Sequence, residues 1–89
     1  MSNIKLSINT FLLGTSKDAA KKLPEEAAEA FAEFIILEET EQQDTTRLAD
    51  EIADCIQASV NLAARYGIDL SAAMLRCEER NRKRGRYGD

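Results

Sequence analysis

Two short acidic patterns carry most of the chemistry open to this chain. Glu25-Glu26-Ala27-Ala28-Glu29 and Glu51-Ile52-Ala53-Asp54 each hold acids three residues apart, which puts Glu26 with Glu29, and Glu51 with Asp54, on one face of a helix. The sequence has two cysteines, Cys55 and Cys77, and no histidine, so Cys/His zinc sites, histidine-dependent catalysis and a disulfide scaffold are excluded. Any metal must therefore be held by oxygen. Two unit charges about 4 Å apart repel by about 4 kcal/mol at an effective dielectric of about 20, so four converging carboxylates require a counter-charge. Oxygen ligation favours Mg²⁺, with Mn²⁺ as the other candidate, and Mg²⁺ characteristically shares its shell with waters and substrate phosphates. EExxE alone describes any solvated helix face. The second pattern is harder to dismiss, because Asp54 opens a stretch with no charged residue before Arg65, where unpaired acids are expensive.

Helices must position these acids. Helical periodicity dominates after Ser16 and strand signals are nearly absent. Ser16 reads as the N-cap of a first helix beginning Lys17-Asp18-Ala19, which Pro24 is expected to kink rather than restart. Its apolar stripe is Ala27, Ala30, Phe31, Phe34, Ile35 and Leu37, beside a polar seam of Lys22, Glu26, Glu29 and Glu33. The segment from Glu39 to Asp44 is the expected connection. Asp44 or Thr45 then caps a second helix with the apolar face Leu48, Ile52, Cys55, Ile56, Leu62 and Tyr66, the seam Glu51, Asp54, Asn61 and Arg65, and a stop at Gly67. At 1.5 Å rise per residue, Glu29 lies about 14 Å and Glu51 about 9 Å from the turn, so the acids reach similar heights on antiparallel neighbours. Asp69 caps a third helix running to about Arg82, with Leu70, Ala73, Met74 and Cys77 inward. The residues after it read as irregular, and residues 1–15 as either a short helix or an extended packing arm.

The 89 residues, 44% hydrophobic and 31% charged, bound one small domain over 1–89 with an all-α fold, a helical hairpin plus a short third helix. The longest apolar run falls far short of the roughly 20 residues of a membrane helix, and the N-terminus lacks a secretory signal's arrangement, so a cytoplasmic location and no membrane partner are expected. The net charge of -4 conceals a segregation: eleven of the sixteen acids fall between Glu25 and Asp54, and six of the twelve basic residues between Arg76 and Arg86. Three short helices cannot cover a second helix that is apolar nearly all round, since small domains bury a low fraction of their surface. A second copy is the expected cover, with two hairpins forming a four-helix bundle in a homodimer or homotetramer.

EExxE at 25–29 followed after a hairpin-length gap by ExxD at 51–54 resembles the all-α nucleotide pyrophosphohydrolases of the MazG-like superfamily, over about Gly14 to Tyr87. The likeness includes the run from Asp50 to Ala64 and the Gly67-Ile68-Asp69 junction. The resemblance implies a helical bundle of dimers or dimer pairs, Mg²⁺ held by Glu26, Glu29, Glu51 and Asp54, and cleavage of a nucleoside triphosphate to the monophosphate and pyrophosphate. Glu25 matches the first acid of the motif, and the role implied for it is to orient or deprotonate water. Asn81, Lys83, Arg84, Arg86 and Tyr87 resemble the C-terminal basic segment of many members, which reaches substrate phosphates; the basic tail here is 83–89. Lys21 and Lys22 are further candidate phosphate contacts, and Asn61 a candidate base contact. Cys55 and Cys77 read as packing residues. Gly14-Thr15-Ser16-Lys17 is more like the phosphoribosyl-ATP pyrophosphohydrolases, whereas the Arg-Gly-Arg-Tyr ending is more like the stand-alone MazG-like proteins, which is the preferred branch. From another class, the rival is a non-catalytic helical module that dimerises and uses its tail on an acidic partner or nucleic acid. On the enzymatic reading, nucleic acid is not an expected partner.

Overall fold

Local chemistry sets where each helix begins and ends. The computed structural model describes residues 4–88, in which it places α1 (Ser16–Thr40), α2 (Thr46–Arg65) and α3 (Leu70–Lys83), with no strand among the described residues. Residues 1–3 of the arm and Asp89 of the tail lie outside that range. Thr15, rather than Ser16, caps α1. Its hydroxyl accepts from the Asp18 amide at 3.2 Å while the Asp18 carboxylate accepts from the Thr15 amide at 2.8 Å, a reciprocal capping box. The Thr15 amide first, then the Thr15 hydroxyl beside the carboxylate and the Arg65 charge, hold the Asp18 carboxyl below its ordinary range. Gly14 precedes the box at φ +53°, where a Cβ would collide with the Asp18 carboxylate. Ser16 is used otherwise: its hydroxyl accepts from Arg65 Nε at 2.9 Å, which ties the start of α1 to the end of α2.

α1 runs unbroken through Pro24, so the chain does not restart there, although the ring leaves the Ala20 carbonyl without its helical donor. Glu41 closes α1 at φ 52°, and Asp44 organises the next turn by accepting from both the amide (2.9 Å) and the hydroxyl (2.6 Å) of Thr46. Gly67, at φ 61°, ends α2 as expected, with Ile68 N donating to Ala63 O and Gly67 N to Ala64 O. Asp69 caps α3 by accepting from Ala72 N at 3.0 Å. Beyond α3 the basic segment is turned rather than irregular. Gly85 at φ 71° lets Arg86 N reach Asn81 O and Gly85 N reach Arg82 O, the same double closure that ends α2.

α1 and α2 pack against each other as an antiparallel hairpin. The residues sheltered along the seam step by three and four: Ala19, Leu23, Glu26, Ala30, Glu33 and Leu37 on α1, and Leu48, Glu51, Cys55, Ala58, Leu62 and Arg65 on α2. Acids therefore occupy the seam. The expected apolar stripe of α1 lies largely outside it, with Phe31 62% and Phe34 43% exposed, and Ile52 and Tyr66 of α2 are exposed as well. α3 touches the hairpin only marginally.

Residues 4–15 form an arm without helix, tied to α2. Asn61, buried on α2, accepts from Phe11 N at 3.1 Å and from Gln57 Nε2 at 2.9 Å, and the same Gln57 amide donates to Asn9 O at 2.8 Å. Arm, α2 and α3 together enclose an apolar groove of about 790 Å³.

Among the described residues the buried apolar side chains are only Ala19, Ala58 and Ala63. The radius of gyration is 15.4 Å, against about 12 Å expected for a compact chain of this length. No described helix is long and apolar enough to cross a membrane. Because Asn61 is committed to the arm, Asn61→Ala should strand the Phe11 amide, cost about 1–3 kcal/mol, and raise hydrogen exchange at Phe11 ahead of the hairpin amides. Unaltered protection at Phe11 would show that the arm is held by something else.

Candidate metal centre

The seam brings Glu26 of α1 opposite Glu51 of α2, and Asp54, nearly one turn on from Glu51, adds a third acid. One carboxylate oxygen from each of Glu26, Glu51 and Asp54 lies within 4.8 Å of the others. Glu26 and Glu51 are half-buried, and Asp54 faces solvent. Glu29, the fourth acid expected here, is exposed and falls outside this tightest group, yet it lies close enough to both Glu26 and Glu51 to share a proton with either.

Desolvation is the first consequence. The Glu26 side chain is only 15% exposed, and Glu26 Oε2 and Glu51 Oε2 are fully covered without a hydrogen-bond partner. Loss of water, followed by the Glu29 charge and then Asp54, pushes the Glu26 carboxyl above its ordinary value, with Lys22 pulling the other way. Glu51 is raised for the same reasons: desolvation first, then Glu29, Asp54 and Glu26. Lys22 Nζ stands 3.5 Å from Glu25 and 4.0 Å from Glu26, an exposed pair and a long one, so it offsets little of the accumulated charge.

Two covered oxygens with no donor, on opposed helices beside a third acid, fit a hard divalent cation. The donor set is all oxygen, as Mg²⁺ or Mn²⁺ prefers. Asp54, facing solvent, leaves the cluster open on one side to a further ligand.

The other sequence-derived residues are dispersed. Glu25 is exposed and turned to Lys22. Lys83 pairs with Glu79 at 3.4 Å, Arg84 and Arg86 are exposed, and Tyr87 is half-buried with the Arg82 guanidinium 5.6 Å over its ring. Asn81 donates weakly to Cys77 Sγ at 3.6 Å and lines the groove with Tyr87. Asn61, the candidate base contact, spends its carbonyl on the arm.

One neighbour of the cluster is not evident from composition. Cys55 lines the apolar groove and sits beside the acids, so that burial first, and Glu26, Glu51, Asp54 and Glu29 after it, push its thiol up. The thiol therefore stays protonated where groove and cluster meet. Its position one turn from Glu51 and next to Asp54 was the available sequence signal.

The raised carboxyls fix the sign of a pH effect. The fold holds protons on Glu26 and Glu51 more tightly than the unfolded chain does, so their contribution is fully present below the ordinary carboxyl value near 4.5 and is lost as pH rises through the raised values. In chelator, thermal stability should therefore fall over that interval. Above it, Mg²⁺ or Mn²⁺ should restore stability by about 2.7 kcal/mol at a hundredfold excess over Kd. Glu51→Gln should abolish the metal response and flatten the pH response. A melting curve indifferent to both ions at neutral pH would remove the metal centre.

Comparison with known proteins finds no matching protein-family model, no matching curated protein and no matching solved structure.

Proposed function

We propose that this chain is a Mg²⁺-dependent nucleotide pyrophosphohydrolase of MazG-like type, working as a homo-oligomer and converting a nucleoside triphosphate to the monophosphate and pyrophosphate. One observation carries the reading: acids of two packed helices converge at Glu26, Glu51 and Asp54 with two covered oxygens lacking any donor. A structural role alone gives no reason for that arrangement, since an unpaired buried acid destabilises a fold.

On this reading Glu26, Glu51 and Asp54 hold the ion and Glu29, next to both glutamates, completes the set. When bound, Mg²⁺ neutralises phosphate charge and lowers the pKa of a coordinated water. The chain supplies the rest. Asp54, on the open side, sets where a triphosphate meets the cluster. Glu25, exposed one residue before Glu26, is placed to orient or deprotonate the attacking water once Lys22 turns to phosphate. Lys22 is the cation nearest the cluster on its own helix, and the exposed Lys83, Arg84 and Arg86 provide positive charge for the remaining phosphate oxygens. Asn81 and Tyr87 line the groove that Cys55 connects to the acids, a route for the nucleoside end of a substrate.

The test is pyrophosphate release from ribo- and deoxyribonucleoside triphosphates, with phosphoribosyl-ATP alongside, in Mg²⁺. At least one substrate should yield stoichiometric monophosphate and pyrophosphate, and Glu51→Gln should lower kcat at least about 100-fold. Arg84→Ala should raise KM while leaving the Mg²⁺-induced rise in melting temperature intact. Metal-dependent stabilisation with no pyrophosphate from any substrate would leave a cation-binding helical module and end the hydrolase reading.

A further inference from the structure

Opposed carboxylates cannot choose a register for the helices that carry them. Glu26 and Glu51 present covered oxygens without donors, and the Glu29 and Asp54 charges beside them add repulsion, so the ion-free cluster opposes the packing of α1 on α2. The apolar contacts around it lock the helices only weakly. The buried apolar residues among those described are Ala19, Ala58 and Ala63, whose small side chains give a helix interface few deep knobs. The connection 41–45 joins α1 to α2 at one end only.

The other end carries a polar staple. Among the described residues, the side-chain hydrogen bond that joins α1 to α2 runs from Arg65 Nε to Ser16 Oγ at 2.9 Å. Its acceptor is firmly mounted. Ser16 is the first residue of α1, and the Thr15–Asp18 capping box beside it, with bonds of 2.8 and 3.2 Å, fixes the backbone that presents the hydroxyl. Gly14 admits the box by taking φ +53°, where a side chain would strike the Asp18 carboxylate. Gly14-Thr15-Ser16-Lys17, which the metal centre leaves unused, is thus the frame of the staple. Arg65 stands in the last turn of α2, half-buried, with the Asp18 charge near it. Its Nη1 is covered and has no partner. A guanidinium held at that cost packs no better than an aliphatic side chain would, and setting register is the best-attested role of such groups.

Levels along the hairpin agree with that role. At 1.5 Å rise per residue, Glu26 stands about 15 Å along α1 from Ser16, and Asp54 about 17 Å back along α2 from Arg65, so joining Ser16 to Arg65 also levels Glu26 with Asp54. Tolerance is narrow. A slip of one helical turn would carry each acid about 5.4 Å past its partner, more than the 4.8 Å within which the three carboxylate oxygens lie.

We propose that Arg65 and Ser16 are positioning residues of the carboxylate cluster: their hydrogen bond fixes the register that brings Glu26 to Glu51 and Asp54, and so sets the affinity of the site for a divalent cation. This role, resting on the metal centre of the proposed function, holds whatever reaction is catalysed. It acts from the open end of the hairpin, about three turns away from the acids.

Mn²⁺ affinity, read from the electron paramagnetic resonance of the free ion, tests the pair without nucleotide. Ser16→Ala removes the acceptor and should weaken Mn²⁺ binding about 10-fold or more while helical circular dichroism is kept. Ser16→Thr keeps a hydroxyl and should bind as wild type does. Arg65→Met removes the donor, and adding Ser16→Ala to it should change nothing further, the non-additivity expected of two partners in one bond. Register is read separately, in chelator. Interhelical methyl NOEs between α1 and α2 should form one set in wild type and Ser16→Thr, and a shifted or doubled set in Ser16→Ala. If Ser16→Ala unfolds, Arg65→Lys, which keeps the charge but lacks the planar fork, replaces it in both measurements. A bond that only stabilised the fold would lower the melting temperature of Ser16→Ala and leave its Mn²⁺ affinity at the wild-type value; that result overturns the proposal. So does a Ser16→Thr protein that loses as much affinity as Ser16→Ala, or losses in Ser16→Ala and Arg65→Met that simply add. A wild type that binds no Mn²⁺ removes the metal centre instead, and the chelator spectra then judge the staple alone, an unshifted set in Ser16→Ala overturning it.

Discussion

A glutamate on each of two packed helices, with an aspartate nearly one turn further on, loses hydration without gaining a donor, and the rest of the molecule is arranged around that uncompensated charge. The seam between α1 and α2 would be a simple apolar stripe if stability were its only purpose. Instead Glu26, Glu33 and Glu51 occupy positions that Leu23, Leu37, Leu48 and Leu62 show to be core-like. Small residues, Ala30 and Ala58, share the same seam and let the helices approach closely enough for the carboxylates to meet. With acids inside, Phe31, Phe34 and Ile35 of α1 are left outside, and the buried apolar residues among those described are alanines. The hairpin is thus a poor core and a candidate cation site, and these are two descriptions of one arrangement.

Helix existence and type were legible in the sequence because caps and stops are local. Asp69, Gly67 and the Asp44-Thr45 junction act over two to four residues, which a linear reading captures. The carboxylate pairs were legible for the same reason: three-residue spacing fixes a helix face whatever lies opposite. What faces what was harder. Phe31, Phe34 and Ile35 look like an inward stripe on any helical projection, and only the register of α2 against α1 shows that the acids hold that place. The N-cap moved by one residue because Thr15 and Ser16 can both accept a hydrogen bond, and the distant Arg65 claims Ser16. Asn61 looked like a ligand contact and proves to anchor the arm, a partner about 50 residues away that no local pattern announces.

The N-terminal arm gives the groove one wall and depends on two side-chain amides for its place. Gln57 and Asn61 lie one turn apart on α2 and bond to each other as well as to the arm, so both amides are oriented before the arm arrives. That pre-orientation reduces the entropy lost on docking an extended segment. It also couples the arm to the α2 turn that follows Cys55 and the acids, so the apolar and acidic regions share one rigid helix.

The closure that ends α3 affects the electrostatics as well as the path of the chain. Gly85 and the bond from Arg86 N to Asn81 O fold the last residues back on the helix, and the Arg82 guanidinium covers the Tyr87 ring. The positive charges are thereby attached to a stub with few internal torsions, rather than strung along a free filament. α3 touches the hairpin only marginally, so the positive charge gathered on the helix and its stub stands apart from the acids of the seam.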